Sequence, residues 1–330
     1  MRKTFYILSV MLLLLCVSLY AKSDEVYLRF QPDSFEDLKK LTNVVSIDNI
    51  EDGWVYAYAN SRELSEFEGY GLPYELLPHP NSLIQVPMTS DKSGMKDWDS
   101  YPTYDTYVSM MNQFESDYPD LCEIVNVGLS EEGRDILFAR ISDNVSVEED
   151  EPGVMYTATM HGDELAGYVL TLRLIDYLLS NYGTDSLATR LVDSCEIWIN
   201  PLANPDGTYA GGNHTVNNST RYNSNGYDIN RNFPDPDGPI SNPNGPWQAE
   251  TVAMMDFAED YTLAISANIH GGAEVVNYPW DTWSRHHVDD LWYIDISRAY
   301  ADSAQFYSPS GYLTDLNNGI TNGYDWYTTS

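Results

Sequence analysis

The stretch Gly153-Val-Met-Tyr-Thr-Ala-Thr-Met-His161-Gly-Asp-Glu164 decides how this chain is read. A short apolar run rich in β-formers ends at a histidine, a glutamate stands three residues later, and a long apolar-periodic segment comes next. That order predicts a buried strand, a tight turn and a helix over residues 165–180. In open α/β sheets ligands gather just past the carboxyl ends of strands, which is where His161 and Glu164 fall. An imidazole and a carboxylate on one turn can share a zinc ion, and a catalytic zinc needs one further protein ligand plus water. Taken by itself, so short a motif is better read as a surface turn with a solvated His and Glu. The rest of the chain decides against a solvated turn.

The apolar run Leu263-Ala-Ile-Ser-Ala-Asn-Ile269 repeats the logic, because it ends at His270 and is succeeded by Gly271-Gly272. Two strand-end histidines and one glutamate make the His₂Glu set of an open zinc site. The remaining histidines, His79, His214, His286 and His287, lie in polar stretches and are expected to be solvated. Between the two strand ends runs an Asn-, Gly- and Pro-rich span, residues 201–246, predicted to hold little regular structure. A loop of that length inside a compact domain is usually functional or disordered. It carries Asn204-Pro-Asp-Gly207 and Arg221-Tyr-Asn-Ser-Asn-Gly-Tyr-Asp228-Ile-Asn230-Arg231-Asn232-Phe-Pro234. The rigid guanidinium fork matches a carboxylate bidentately, so these arginines suit an anionic group. Chemistry alone leaves a second reading open, in which they tie the loop to neighbouring acids.

These segments, together with Asn268-Ile-His-Gly-Gly272 and Asn277-Tyr-Pro279, resemble the zinc metallocarboxypeptidases of the carboxypeptidase A/B superfamily, and within it the carboxypeptidase D/N/E-like branch. The resemblance runs from residue 101 to the end. It implies that His161, Glu164 and His270 are ligands of one zinc ion and that Arg221 polarises the scissile carbonyl. A fixed cation there contributes on the order of 3 kcal/mol to the transition state. Asn230 and Arg231 match the pair that clamps a substrate's terminal carboxylate, and Asp228 the acid that orients the first zinc-binding histidine. Asp281, eleven residues after His270, matches the acid that selects C-terminal Lys or Arg; its alternative is a solvated loop aspartate. The family's general-base Glu and mobile substrate-binding Tyr are expected after a segment like Gly319-Ile-Thr-Asn-Gly323-Tyr-Asp-Trp-Tyr327, hence beyond Ser330, so the catalytic domain is expected to be truncated. Glu274 stands where the family does not place its base. The implied fold is α/β, a mixed eight-stranded-type sheet flanked by helices. The implied activity is zinc-dependent removal of the C-terminal residue of peptides. Two other readings stay open: a catalytically inactive peptide-binding member that keeps the clamp, and a cell-wall peptide amidase of the same superfamily.

Upstream, the first 21 residues read as a signal peptide. Arg2 and Lys3 open it, residues 5–17 form an apolar run of 13, and Leu19-Tyr-Ala21 fits a cleavage site. Such a run is short for a membrane span. Export is therefore expected, with a secreted or periplasmic product and no membrane span once the leader is removed. Residues 22–80 are expected to form a small α+β unit. Ser34-Phe-Glu-Asp37 is a capping-box pattern, and Trp54, Tyr56 and Tyr58 alternate with Val55, Ala57 and Ala59. Its β-α-β-β-α-β order suggests a ferredoxin-like sandwich, similar in element order to the family's activation propeptides. Residues 81–100 read as a linker, and residues 101–330 as the catalytic domain.

Composition narrows the partners. With 50 acidic and 17 basic residues the formal net charge is −33, which argues against nucleic acid and anionic membranes. The same charge favours cationic ligands, and it equally serves solubility. A chain with 26 Tyr, 8 Trp and 43% hydrophobic residues is globular and large enough for more than one domain. The expected partners are peptide or protein C-termini, and a monomer is expected. Past the leader only Cys122 and Cys195 remain, which leaves either one disulfide or two buried thiols.

Overall fold

A computed structural model describes residues 25–147, 149–234 and 245–326. The leader expected at residues 1–21 lies outside them, as does Tyr327. The N-terminal unit runs β1 (Val26–Phe30), α1 (Phe35–Leu41), β2 (Ser46–Glu51), β3 (Trp54–Ala59), α2 (Ser61–Glu68) and β4 (Tyr74–Leu77). Its sheet has the order β2-β3-β1-β4 with every neighbour antiparallel, the split β-α-β arrangement expected from the element order. Both helices start on side-chain caps. Ser34 accepts from the Asp37 N–H, and Asn60 forms a capping box with Glu63. Period-two alternation sorts the faces of β3. Val55, Ala57 and Ala59 enter a core with Leu28, Phe30, Leu41 and Phe67, so Trp54, Tyr56 and Tyr58 point the other way.

Residues 81–100 are less loop-like than their composition suggests. A helical turn α3 (Pro80–Leu83) is followed by β5 (Met88–Thr89), a 3₁₀ turn (Lys92–Met95) and then β6 (Tyr101–Pro102), parallel to β5. Met95 is buried in the main core, and the Asn217 amide brackets the backbone of Val86 from both sides. The segment holds to the larger unit through scattered single anchors, which leave no period in the sequence.

The larger unit comprises α4 (Tyr104–Asp117), β7 (Cys122–Leu129), β8 (Asp135–Ile141), β9 (Gly153–Ala158), α5 (Ala166–Asn181), α6 (Ser186–Val192), β10 (Glu196–Asn200), α7 (Pro205–Thr208), α8 (Ala249–Asp260), β11 (Leu263–Ile269), β12 (Val276–Tyr278), α9 (Asp290–Tyr307), α10 (Asp315–Gly319) and β13 (Ile320–Asn322). Five strands form a mixed sheet in the order β11-β9-β10-β8-β7, and β12 pairs with β13 apart from it. The eight-stranded form implied by the resemblance is thus not built within the described residues. Alternation fixes two layers. Leu137, Ala139, Ile197 and Ile199 pack under α4 and α5 with Tyr107, Met110, Leu172 and Leu178. Ile136, Phe138 and Trp198 face α8 on the other side, where the Phe138 and Phe257 rings stack at 4.3 Å. Burial of these apolar side chains is the main stabilising contribution to both layers.

Two features position the site. First, β9 lies between β10 and β11 and is parallel to both, with Ala158 opposite Ile269. The residues just after β9 and β11 therefore leave the sheet side by side. Second, the described part of the long polar span, residues 201–234, packs into the molecule. Asn204, Asp206 and Asn232 are buried, and short side-chain-to-backbone bonds take the place of ladders, as when the Asn204 side chain accepts from the Gly207 N–H. Cys122 and Cys195 are both free thiols, Cys122 buried and Cys195 half-buried.

Candidate active site

The chain leaves β9, passes through Thr159 with a left-handed φ of 60°, and delivers His161 at the mouth of the sheet. Gly162 is required there, because a Cβ at that position would lie 2.3 Å from the Gly207 carbonyl carbon. Glu164 comes next, at the start of α5, and His270 arrives directly from β11. Their ligating atoms converge. His161 Nδ1 lies 2.8 Å from Glu164 Oε1 and 3.1 Å from His270 Nδ1, and His270 Nδ1 lies 2.9 Å from Glu164 Oε2. Ligands of a tetrahedral ion with bonds of about 2.0–2.1 Å stand roughly 3.3 Å apart, so a small outward movement accommodates one. Two imidazoles and a carboxylate are also the zinc donor set.

Behind this triad stands a layer of charge. Asp228 places Oδ1 at 3.2 Å from His161 Nε2, the carboxylate-to-imidazole contact that fixes the ring with Nδ1 inward. Arg221 donates from Nε to Asp228 Oδ2 at 3.1 Å and from a terminal nitrogen to Glu164 Oε1 at 3.4 Å. Both Arg221 and Asp228 are buried. Burial opposes the Asp228 charge, but Arg221 and His161 outweigh it and hold the carboxyl well below its ordinary range. Glu164 is likewise held low against burial by His161 and His270. Burial lowers His270, whereas Glu164 and Asp228 raise His161 despite its burial and the nearby Arg221.

The remaining sequence-predicted residues lie close by. The Asn230 N–H donates to Asp228 Oδ1 at 2.9 Å, and Arg231 closes the 3₁₀ turn Ile229–Arg231. Arg231 faces a cavity of about 240 Å³ whose other walls include Thr42, Ser46, Arg62 and Glu63 of the N-terminal unit. Asp281 is exposed and accepts from the Asn277 amide at 3.1 Å, and it abuts Gly323 so closely that a Cβ there would clash. Glu274 is engaged by the Leu313 N–H and by no group of the triad among the described residues.

Several residues were not legible as site residues. Ser46 donates from Oγ to Asp228 Oδ2 at 2.7 Å, and the Tyr58 ring lies 5.8 Å from the Arg221 guanidinium carbon. Asn60 donates to the Gly226 carbonyl at 2.8 Å, and the Tyr222 hydroxyl bonds Glu63. The N-terminal unit thus meets the charged layer behind the triad, through Ser46 on Asp228 and the Tyr58 ring near Arg221. The alternation in β3 signalled a second buried face without saying what it would meet. Two histidines depart from the solvated expectation. His79 caps α3 and pairs with Glu25 at 3.2 Å, and His287 sits between two rings, tilted to Trp280 and edge-on to Tyr293.

A family model described as zinc carboxypeptidase (peptidase M14) matches residues 107–330. The chain is 38% identical over 232 residues to carboxypeptidase D of Rattus norvegicus, covering 66% of this chain and 16% of that protein. It is 35% identical over 235 residues to carboxypeptidase M of Mus musculus, covering 66% of this chain and 52% of that protein. The chain therefore spans about a sixth of the one and about half of the other. In fold it is similar to the crystal structure of the carboxypeptidase A from Helicoverpa armigera, with a TM-score of 0.68 at 17% identity, covering 92% of this chain and 83% of that one.

Proposed function

The chain belongs to the zinc carboxypeptidase family, and from that premise we propose that it is an exported metallocarboxypeptidase that removes the C-terminal residue of peptides. The observation that carries the reading is the meeting of His161 Nδ1, Glu164 and His270 Nδ1 within 3.1 Å in front of a buried Arg221–Asp228 pair. His161, Glu164 and His270 would hold one zinc ion, which when bound lowers the pKa of a water to about 7. The chain's own residues supply the rest. Asp228 holds the His161 ring in the ligating orientation. Arg221, beside Glu164, offers its guanidinium to the scissile carbonyl and to the charge that develops on it. Asn230 and Arg231 bind the substrate's terminal carboxylate, which confines hydrolysis to the last peptide bond. Asp281 pairs with a C-terminal Lys or Arg side chain.

In this reading residues 22–80 are a propeptide-like cover, residues 81–100 its linker and residues 101–330 the catalytic domain. Support comes from the contacts of Ser46, Tyr58 and Asn60 with the site, and from the shared cavity that puts Thr42 and Arg62 in front of Arg231. A substrate carboxylate has to displace these groups to reach the clamp.

The test is hydrolysis of hippuryl-Arg and hippuryl-Phe by the full-length protein with zinc, before and after cutting between residues 81 and 100. Chelator-sensitive release of Arg, faster after the cut, is expected, and Asp281→Asn should abolish the preference for Arg. Binding of C-terminal peptides without hydrolysis would sink the enzyme reading in favour of a binding protein. Action on muropeptides alone would make it an amidase.

A further inference from the structure

We propose that Glu25, His79 and Asp163 form a second divalent-cation site, which fastens the N-terminal unit to the turn bearing the first centre's ligands. Glu25 precedes β1, His79 precedes α3, and Asp163 lies between His161 and Glu164. One ligand atom from each lies within 4.8 Å of the others. His79 Nε2 stands 3.2 Å from Glu25 Oε1 and 4.0 Å from Asp163 Oδ2. The donor set, two carboxylates and an imidazole, suits zinc and its first-row neighbours.

The site departs from an ordinary surface acid cluster in its burial and its balance of charge. The side chains of Glu25 and Asp163 are 1% and 4% exposed. Asp163 Oδ1 is buried and has no hydrogen-bond partner among the described residues. The nearest strong cation, Arg221, spends its guanidinium on Asp228 and Glu164 and gives Glu25 only its backbone N–H, at 3.0 Å. Two desolvated carboxylates facing one imidazole are therefore short of positive charge, which a divalent ion would supply.

Coordination has a defined consequence for His79. Its Nδ1 accepts the Asn81 N–H at 3.2 Å, so the neutral ring carries its proton on Nε2, facing Glu25. A cation on Nε2 shifts that proton to Nδ1 and opens the contact with Asn81. The ring tautomer therefore reports occupancy.

The experiment is zinc stoichiometry after equilibrium dialysis of the full chain. Two ions per chain are expected, falling to one in His79→Ala and to one in the His161→Ala/His270→Ala variant. Should His79→Ala fail to fold, cobalt replaces zinc in the His161→Ala/His270→Ala background. A visible ligand-field band is expected there, weakened at least tenfold in apparent affinity by Glu25→Gln, together with an ¹⁵N shift of His79 to the Nδ1-protonated tautomer. One ion in the wild type and none in the folded His161→Ala/His270→Ala variant would overturn the second site and leave the first standing. A stoichiometry lowered by His79→Ala but not by His161→Ala/His270→Ala would support the second site and reject the first.

Discussion

Ser46 Oγ donates a 2.7 Å hydrogen bond to Asp228 Oδ2, and the other oxygen of the same carboxylate lies 3.2 Å from His161 Nε2. A residue of the N-terminal unit is thus one carboxylate away from the imidazole that faces the centre. Asp228 joins three parts of the chain, because Arg221 also donates to Oδ2. Changes to this carboxylate, to its arginine, to the turn that presents His161 and to the contact that holds the N-terminal unit each have a defined outcome.

Asp228→Asn keeps the volume but removes the charge that steers His161 and balances Arg221. Zinc affinity should fall about 10–100-fold with the fold retained. Competition against a chromophoric chelator measures it, and an unchanged dissociation constant would show that His161 needs no orienting carboxylate.

Arg221→Ala leaves Asp228 and Glu164 buried without their shared cation. Truncating one partner of a buried pair costs about 3–5 kcal/mol, so the urea midpoint should drop sharply. Arg221→Lys keeps the charge but cannot reach both acids in a fork, and should lie between the two. Equal stability of all three proteins would contradict a stabilising charge layer behind the triad.

Gly162→Ala drives a methyl group to 2.3 Å from the Gly207 carbonyl carbon, a backbone atom that cannot swing away. The turn has to move. A destabilisation of about 1–3 kcal/mol and weaker zinc binding should appear together, read by thermal melting and metal titration. If melting alone changed, the turn would not be what positions His161.

Glu63 ties the N-terminal unit to Tyr222. Burial raises its carboxyl to about 7, although the Tyr222 hydroxyl and the Asn60 N–H pull it back down. The ordinary value is 4.5, so between about 4.5 and about 7 the folded state keeps a proton that the unfolded chain has released. Stability from this group is full below about 4.5 and falls as pH rises through about 7. Its size is on the order of 1–3 kcal/mol. Glu250, raised to about 7 by burial, slopes the same way. The informative quantity is therefore the difference between wild type and Glu63→Gln in melting temperature from pH 5 to pH 8. A wild-type slope no steeper than that of Glu63→Gln would reject the role of this carboxyl.

Much of the fold was legible because its causes are local. Short apolar runs of β-formers gave β9 and β11, the alternation of Trp54, Tyr56 and Tyr58 with Val55, Ala57 and Ala59 gave β3, and Ser34 sits where a cap is needed. The convergence of His161, Glu164 and His270 was legible for a related reason. A histidine that ends a strand leaves the sheet at that strand's carboxyl end, and two neighbouring strands running parallel in one register bring both histidines to the same edge, although the edge strand β11 is more exposed than its apolar run suggests.

The sequence by itself determined the small α+β unit and the larger α/β unit, the strand-end histidines, Glu164 and the Asn- and Arg-bearing span that supplies Arg221 and Asp228. Only the tertiary structure decided what covers them. The aromatic face of β3, Ser46, Glu25 and His79 reach the site across some 80 to 200 residues of chain, as the Ser46–Asp228 and Glu25–Arg221 separations of 182 and 196 show. Periodicity records which side of a strand is buried. It carries no record of the distant surface that buries it, because docking between two finished units depends on their three-dimensional complementarity and on charge brought together only after each has folded.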